Sequence, residues 1–371
     1  MWVGVSGAPV RYNAAVGGCD QMDPARAGLA GDVVGDAPGP AAGPRPPRPT
    51  RRPVPNLPPA PMLTGSVLPM ASSPPPLDEM AFLADNAAEV GLTWTGPPPV
   101  SRMITEVPGG RQVSALRWGD GAPETVLIHG RAQNAHTWDT VALALHRPLL
   151  AVDLPGHGRS EWRSDHDYSP AALAVDLATV VDALAPSAGM VVGVSLGGLS
   201  ALALSRIRPD LVPQLVLVDI TPGVDPVKAR AIAGVASGPE CFATFEEMVA
   251  CTAKLHPQRS LSSLRRGVLH NACQGDDGAW RWRWDLIRSV EAGALQHSSA
   301  RLWDCVARLA VPLTLARGAC STVVADEDAA KLLRLRPPAT VLVIDGAGHN
   351  IQGDQPLALA KVIDGVSGRR A

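Results

Sequence analysis

The chain has 371 residues, 46% hydrophobic and 18% charged, which at about 150 residues per domain is room for one large or two ordinary domains. A formal net charge of -2, from 33 basic and 35 acidic residues, excludes a strongly basic nucleic-acid binder and an acidic solvating chain. Cysteines at 19, 241, 251, 273, 305 and 320 form no C-x-x-C pair and no metal-ligand spacing, which argues for buried free thiols and against a disulfide framework or zinc site.

Residues 1–75 read as a Pro-rich leader. Pro38 to Pro61 packs 11 prolines into 24 residues with few large apolar side chains, too little burial to offset the entropy of ordering the backbone, so disorder or local polyproline II is expected. Docking of this stretch on an aromatic groove of a partner is the alternative. No apolar segment follows a basic N-terminal stretch, and no run of about 18 apolar residues occurs, so the expectation is a cytoplasmic protein that neither spans a membrane nor binds nucleic acid.

Residues 76–101 predict a peripheral helix and linker: Met80, Phe82, Leu83, Ala87 and Val90 recur at helical spacing within Leu77 to Val90, before the Pro97 to Pro99 run. From Arg102 onward short β-branched runs alternate with longer helical ones. Met103 to Val107 and Val113 to Trp118 predict a hairpin. Thr125 to His129, Pro148 to Asp153, Met190 to Val194, Gln214 to Ile220, Pro312 to Ala316 and Thr340 to Asp345 predict further strands. Helices are expected over Pro170 to Leu184, Gly197 to Arg206, Asp326 to Leu335 and Pro356 to Val366. The alternation predicts an α/β fold, a mostly parallel sheet flanked by helices on both faces, built from residues 102–223 and 307–371.

The rhythm breaks over residues 224–306. Amphipathic helices are expected there around Lys228 to Val235, Thr244 to Lys254, Leu261 to Asn271 and Asp285 to Ala292, with no convincing strand. A helical insertion between two sheet strands reads as a lid over the strand ends. Trp280, Trp282 and Trp284 alternate with arginines in this span; anchoring the lid is preferred to lining an acyl pocket.

Gly193-Val194-Ser195-Leu196-Gly197 follows an apolar strand and opens a helix, which is G-x-S-x-G in strand-turn-helix context. Glycines beside a tight turn let Ser195 sit on a strained bend with its hydroxyl exposed, while the helix behind it directs NH groups and its positive dipole end at the site. His129-Gly130-Arg131 ends an earlier strand, and the backbone NH groups of Arg131 and Leu196 are candidates to converge on one oxyanion. His129 itself reads as a structural hydrogen-bonder. In Asp153 to Ser160, Gly156-x-Gly158 lacks the third glycine of a dinucleotide loop, so the turn is assigned to scaffolding and no cofactor is expected.

A serine hydroxyl needs a base, and the base an orienting acid. His349 lies on a glycine-rich loop past the last strand, later in the chain than Ser195. The preferred acid is Asp219, which closes the strand Gln214 to Ile220; Asp326 and Asp328 are the alternatives.

Taken in this order, His129-Gly130, the Asp153 to Ser160 turn, the Ser195 elbow and the Gly346 to His349 loop resemble the α/β-hydrolase family over roughly Met103 to Gly368. Most members place the acid at a G-x-x-D turn after a late strand; here Gly318-Ala319-Cys320-Ser321 carries serine there. The chain is most similar to small carboxylesterases whose acid follows the sixth strand. That resemblance implies Ser195 as nucleophile, His349 as base, Asp219 as acid, the Arg131 and Leu196 NH groups as oxyanion hole, and Ser321 beside the acid. A serine at the elbow argues against haloalkane dehalogenases and epoxide hydrolases. The implied function is cleavage of a small-molecule ester or thioester through an acyl-enzyme, with a carbon–carbon bond hydrolase and a non-turnover sensor as alternatives.

Overall fold

The computed structural model describes residues 78–223, 238–257, 259–285 and 301–367. The expected helices around Lys228 and over most of Asp285 to Ala292, and the leader, lie outside the described residues. Eight strands form one sheet: β1 (Val100–Val107), β2 (Arg111–Trp118), β3 (Thr125–Ile128), β4 (Leu149–Val152), β5 (Met190–Val194), β6 (Leu215–Val218), β10 (Leu313–Gly318) and β11 (Thr340–Ile344). Their order is β1-β2-β4-β3-β5-β6-β10-β11. β1 and β2 pair antiparallel, as do β2 and β4, and every other neighbour is parallel.

The central strands are apolar on both faces, so successive residues feed two different cores. In β5, Val191 belongs to one core, with the helices α3 (Pro170–Leu184) and α4 (Leu196–Ile207) and residues 302–309. Met190, Val192 and Val194 belong to the other, with Leu83 of α1 (Leu83–Glu89), α2 (Asp139–Leu145) and the helix Pro356–Ser367. Each fully buried Leu or Val contributes about 1.5–3 kcal/mol, which is why strand sequences this apolar are stable only between two helical layers. Local signals agree with the packing: Ser169 accepts from Ala172 N at 3.3 Å and Pro170 occupies the first turn of α3.

From β3 the chain crosses by α2 to β4 on one side, then by α3 to β5 on the other side of β3. The direction of winding therefore reverses between β3 and β5. Loops leaving the carboxyl ends of such a pair diverge and open a crevice, the usual place for a ligand in an open α/β sheet.

The described part of the insertion between β6 and β10 differs from the all-helical expectation. Besides helices Phe245–Leu255 and Leu261–Asn271 it holds a three-stranded antiparallel sheet, β7 (Cys241–Phe242), β9 (Trp280–Trp282) and β8 (Ala272–Gln274). The Trp-Arg-Trp alternation was its period-two signal, hidden by the shortness of each strand. Trp282 and Trp284 are buried in a separate small core with Phe242, Met248 and Val268. Asp285 ties this segment to the sheet domain: its NH donates to Gly156 O at 2.8 Å and its carboxylate accepts from Tyr168 Oη at 2.8 Å. All described cysteines are free, but only Cys305 is buried and Cys241 and Cys320 are exposed, which corrects the expectation of buried thiols. Among the described residues no helix is long and apolar enough to cross a membrane.

Candidate active site

Strand register sets the site. Val194 of β5 pairs with Val218 of β6, and Val218 pairs with Ala316 of β10. The next residues along, Ser195 and Asp219, therefore leave adjacent strands at the same sheet edge. Both have left-handed backbone, at φ +51° and +47°, which costs a side-chain-bearing residue energy and persists only when the surroundings over-determine it. At Ser195 the surroundings are glycines. A Cβ on Gly193 would stand 2.6 Å from Gly197 backbone, and one on Gly197 would stand 2.4 Å from the His129 and Ile128 carbonyl oxygens. The elbow thus packs backbone on backbone against the end of β3, and α4 starts directly behind a half-buried Ser195.

Asp219 is wholly buried, and its carboxylate is fully engaged. Oδ1 accepts from Gly318 N at 3.0 Å; Oδ2 accepts from Ser321 Oγ at 2.5 Å and faces His349 Nδ1 at 2.9 Å. A carboxylate accepts only, so the neutral imidazole carries its proton on Nδ1 and keeps Nε2 as a lone pair. The loop bearing His349 is pressed onto β10: a Cβ on Gly318 would lie 2.3 Å from Gly348 O. The alternative acids are occupied elsewhere. Asp326 is exposed and paired with Arg317, and Asp328 accepts from Ala325 N at 3.0 Å to cap its own helix.

The loop after β3 comes close to the elbow. A Cβ on Gly130 would be 3.2 Å from Ser195 Cβ, so glycine permits this approach of the β3 loop to the elbow. His129 is buried: Nε2 accepts from Leu154 N at 2.9 Å and Nδ1 donates to Gly130 O at 2.7 Å, and burial holds its pKa below the usual value. It braces two loops, as does Asp153, which pairs with Arg102 at 2.7 Å and accepts from Ala135 N at 2.7 Å.

Sequence reasoning missed the polar side chains around this frame. A cavity of about 730 Å³ lies beside the β3 loop, bounded by Ala132, Gln133, Asn350, Arg259, His270 and Trp282 among others. In its wall His136, Asp139 and His270 bring potential metal ligands within 4.8 Å of one another. The two imidazoles are stacked, 3.7 Å between centroids and 12° between planes, so their in-plane lone pairs do not converge on one ion. The cluster instead pairs internally, through one oxygen of Asp139. His136 Nδ1 donates to Asp139 at 3.0 Å, and Asp139 and Glu79 outweigh burial to raise His136 to about 9. Burial, with the His136 cation beside it, pushes His270 down to about 2. No sequence spacing signals these contacts, because His270 comes from the insertion.

Comparison with known proteins agrees with this architecture. Residues 125–362 match the model of the alpha/beta hydrolase family. The chain is 45% identical over 297 residues to esterase Rv0045c of Mycobacterium tuberculosis, covering 78% of this chain and 96% of that protein. A crystal structure of the same esterase superimposes with a TM-score of 0.70, at 43% identity over 80% of this chain and all of the other. A 3-hydroxybutyrate-oligomer hydrolase of Cupriavidus necator is 28% identical over 249 residues, 62% of this chain and 85% of that one. With sheet order, elbow and family match in agreement, the chain belongs to the α/β-hydrolase family.

Proposed function

We propose that the protein is a serine hydrolase cleaving carboxylic esters of small molecules through an acyl-enzyme, with Ser195 as nucleophile, His349 as base and Asp219 as acid. One observation carries this reading: the buried carboxylate of Asp219 fixes the His349 tautomer at 2.9 Å, at the sheet edge from which the strained Ser195 also projects. The esterase relative at 45% identity supports ester hydrolysis over the carbon–carbon hydrolase and sensor alternatives.

In the reaction, His349 Nε2 takes the Ser195 proton as Oγ attacks the ester carbonyl. The negative charge that forms on the carbonyl oxygen is met by the backbone NH groups of Arg131 and Leu196, the second at the positive end of α4. Asp219 stabilises the imidazolium, which then protonates the leaving alcohol. Water, activated by the same imidazole, releases the acid. Ser321 holds the acid through its 2.5 Å hydrogen bond and takes no proton. The described part of the insertion, which contributes Arg259, His270 and Trp282 to the cavity wall, acts as a lid governing which esters enter.

The test is a fluorophosphonate probe followed by a panel of p-nitrophenyl esters of increasing acyl length. Wild type should label, and Ser195→Ala should not, with turnover lowered by roughly three to six decades. Near-normal turnover in that variant would remove Ser195 from the nucleophile role.

A further inference from the structure

The loop carrying Arg131 is short and strained. Ala132 has φ +59°, in the left-handed region, and the turn bond from Gln133 N to Gly130 O is 3.3 Å long. Two side chains hold the loop: Asn271 Nδ2 donates to Ala132 O at 3.2 Å from the insertion, and Gln133 ties it from within the sheet domain. Its Oε1 accepts from Gly130 N at 2.9 Å, and its Nε2 donates to Asn350 Oδ1 at 3.0 Å. Asn350 directly follows His349, so one carboxamide spans 217 residues of sequence to join the loop before Arg131 to the loop of the proposed base. The same oxygen lies 3.4 Å from Gln352 Nε2, an almost fully buried amide on the base side. A Cβ on Gly130 would stand 3.2 Å from both Gln133 Oε1 and Ser195 Cβ, so the carboxamide sits one residue's thickness from the nucleophile.

Chemistry explains why an amide is needed. Gly130 N–H requires an acceptor, and the bond to Asn350 Oδ1 a donor; glutamine supplies both from one planar group. An oxyanion donor stabilises developing charge only if it is already in place, and removing one such donor costs about 10²–10³ in turnover. Loosening the loop that presents the donor should cost a fraction of that.

We infer that Gln133 is a positioning residue for ester hydrolysis, fixing the Arg131 NH relative to the Ser195 and His349 pair through its bonds to Gly130 and Asn350. The inference rests on the serine-hydrolase reading above. Gln133 touches no reacting atom, so its signature is a loss of transition-state binding with little change in substrate binding.

The experiment compares wild type, Gln133→Met, Asn350→Leu and the double variant. Readouts are kcat and KM on p-nitrophenyl butyrate, thermal melting, and the Ki of an alkyl trifluoromethyl ketone, whose serine adduct places an oxyanion in the same pocket. Gln133→Met keeps the side-chain volume and deletes both hydrogen bonds. Expected is a kcat lowered about 10- to 100-fold, KM within about threefold, and ketone Ki raised in parallel with the loss of kcat. The double variant should be no worse than the poorer single one, because both break the same tie. A cooperatively melting Gln133→Met enzyme with kcat and Ki within about threefold of wild type would overturn the inference. Should that variant not fold, Asn350→Leu decides: the positioning role needs both bonds, because the Gly130 bond alone does not tie the loop to the base, so wild-type kcat and Ki in Asn350→Leu overturn it. Ser195→Ala separates this from the parent reading. If it is inactive while Gln133→Met is normal, only the positioning role falls; if it is active, the serine mechanism itself falls.

Discussion

Asp219→Asn exchanges one buried oxygen for an NH2, and the surrounding hydrogen bonds dictate where that NH2 goes. Gly318 N donates to Oδ1 at 3.0 Å, so the amide must keep its oxygen there and turn its nitrogen toward Ser321 Oγ and His349 Nδ1. Ser321 Oγ already accepts from Val323 N at 3.0 Å and from Val324 N at 3.4 Å, which leaves it a poor acceptor for the new donor. His349 Nδ1 must then accept, moving the ring proton to Nε2, where the mechanism needs a lone pair. The variant also removes the negative charge 2.9 Å from the imidazolium that forms during attack. In a serine protease the equivalent change lowers kcat by about 10⁴, which at 1.36 kcal/mol per decade is about 5 kcal/mol of transition-state stabilisation. The same size of loss is expected here. Stability should fall by only about 1–3 kcal/mol, since the Gly318 bond survives. Initial rates on p-nitrophenyl butyrate from pH 5 to 10, beside a thermal melt, check this, with Asp326→Asn and Asp328→Asn as controls expected to leave turnover unchanged. A folded Asp219→Asn enzyme within tenfold of wild-type kcat would refute the assignment of the acid and the tautomer argument with it.

Gly318→Ala would put a methyl group 2.3 Å from Gly348 O and 2.5 Å from Ala347 O, both backbone atoms. The His349 loop must move, with stability lowered by about 1–3 kcal/mol and turnover reduced; an unchanged melting temperature would show that the loop is not packed this closely. Stability should also fall on both sides of neutrality, for opposite reasons. Burial, reinforced by His129, pushes His157 down to about 3, below its unfolded value, so the unfolded chain takes the proton first and the contribution present above pH 6.5 is lost toward pH 3. His136 is raised to about 9, so its stabilisation is complete below pH 6.5 and is lost between there and pH 9. Urea midpoints against pH should lose slope on the acid limb in His157→Gln and on the alkaline limb in His136→Gln, by at most about 1.4 kcal/mol per pH unit each; unchanged slopes would refute these roles.

Much of the sheet domain is legible because its signals are local. Met190–Val194 is apolar throughout, as a strand buried on both faces must be, and Ser169-Pro170 opens α3 with an N-cap and a first-turn proline. The elbow is legible as a motif, and Gly193 is demanded by contacts within the turn itself, with the Gly197 and Gly198 backbone, whereas Gly197 is demanded by the Ile128 and His129 carbonyls at the end of β3. The insertion is less so. Strands of two or three residues, such as Cys241–Phe242, carry too short a period to be told from loop, and their stability comes from a small aromatic core assembled at a distance.

What the amino-acid sequence determined by itself is the frame: which segments lie between two apolar layers, where the chain turns on glycine, and which serine and histidine stand on those turns. The end of an apolar strand already favours Asp219 over Asp326 and Asp328, but tertiary structure decided the contact: the register of Val218 against Ala316 brings the Asp219 carboxylate to His349 at 2.9 Å. The Gln133 to Asn350 tie belongs to the same category, because two amides with no distinguishing pattern become partners only when the sheet aligns the loops that carry them. Periodicity reports what each residue faces, inside or out; it holds no information on which distant side chain will be waiting there.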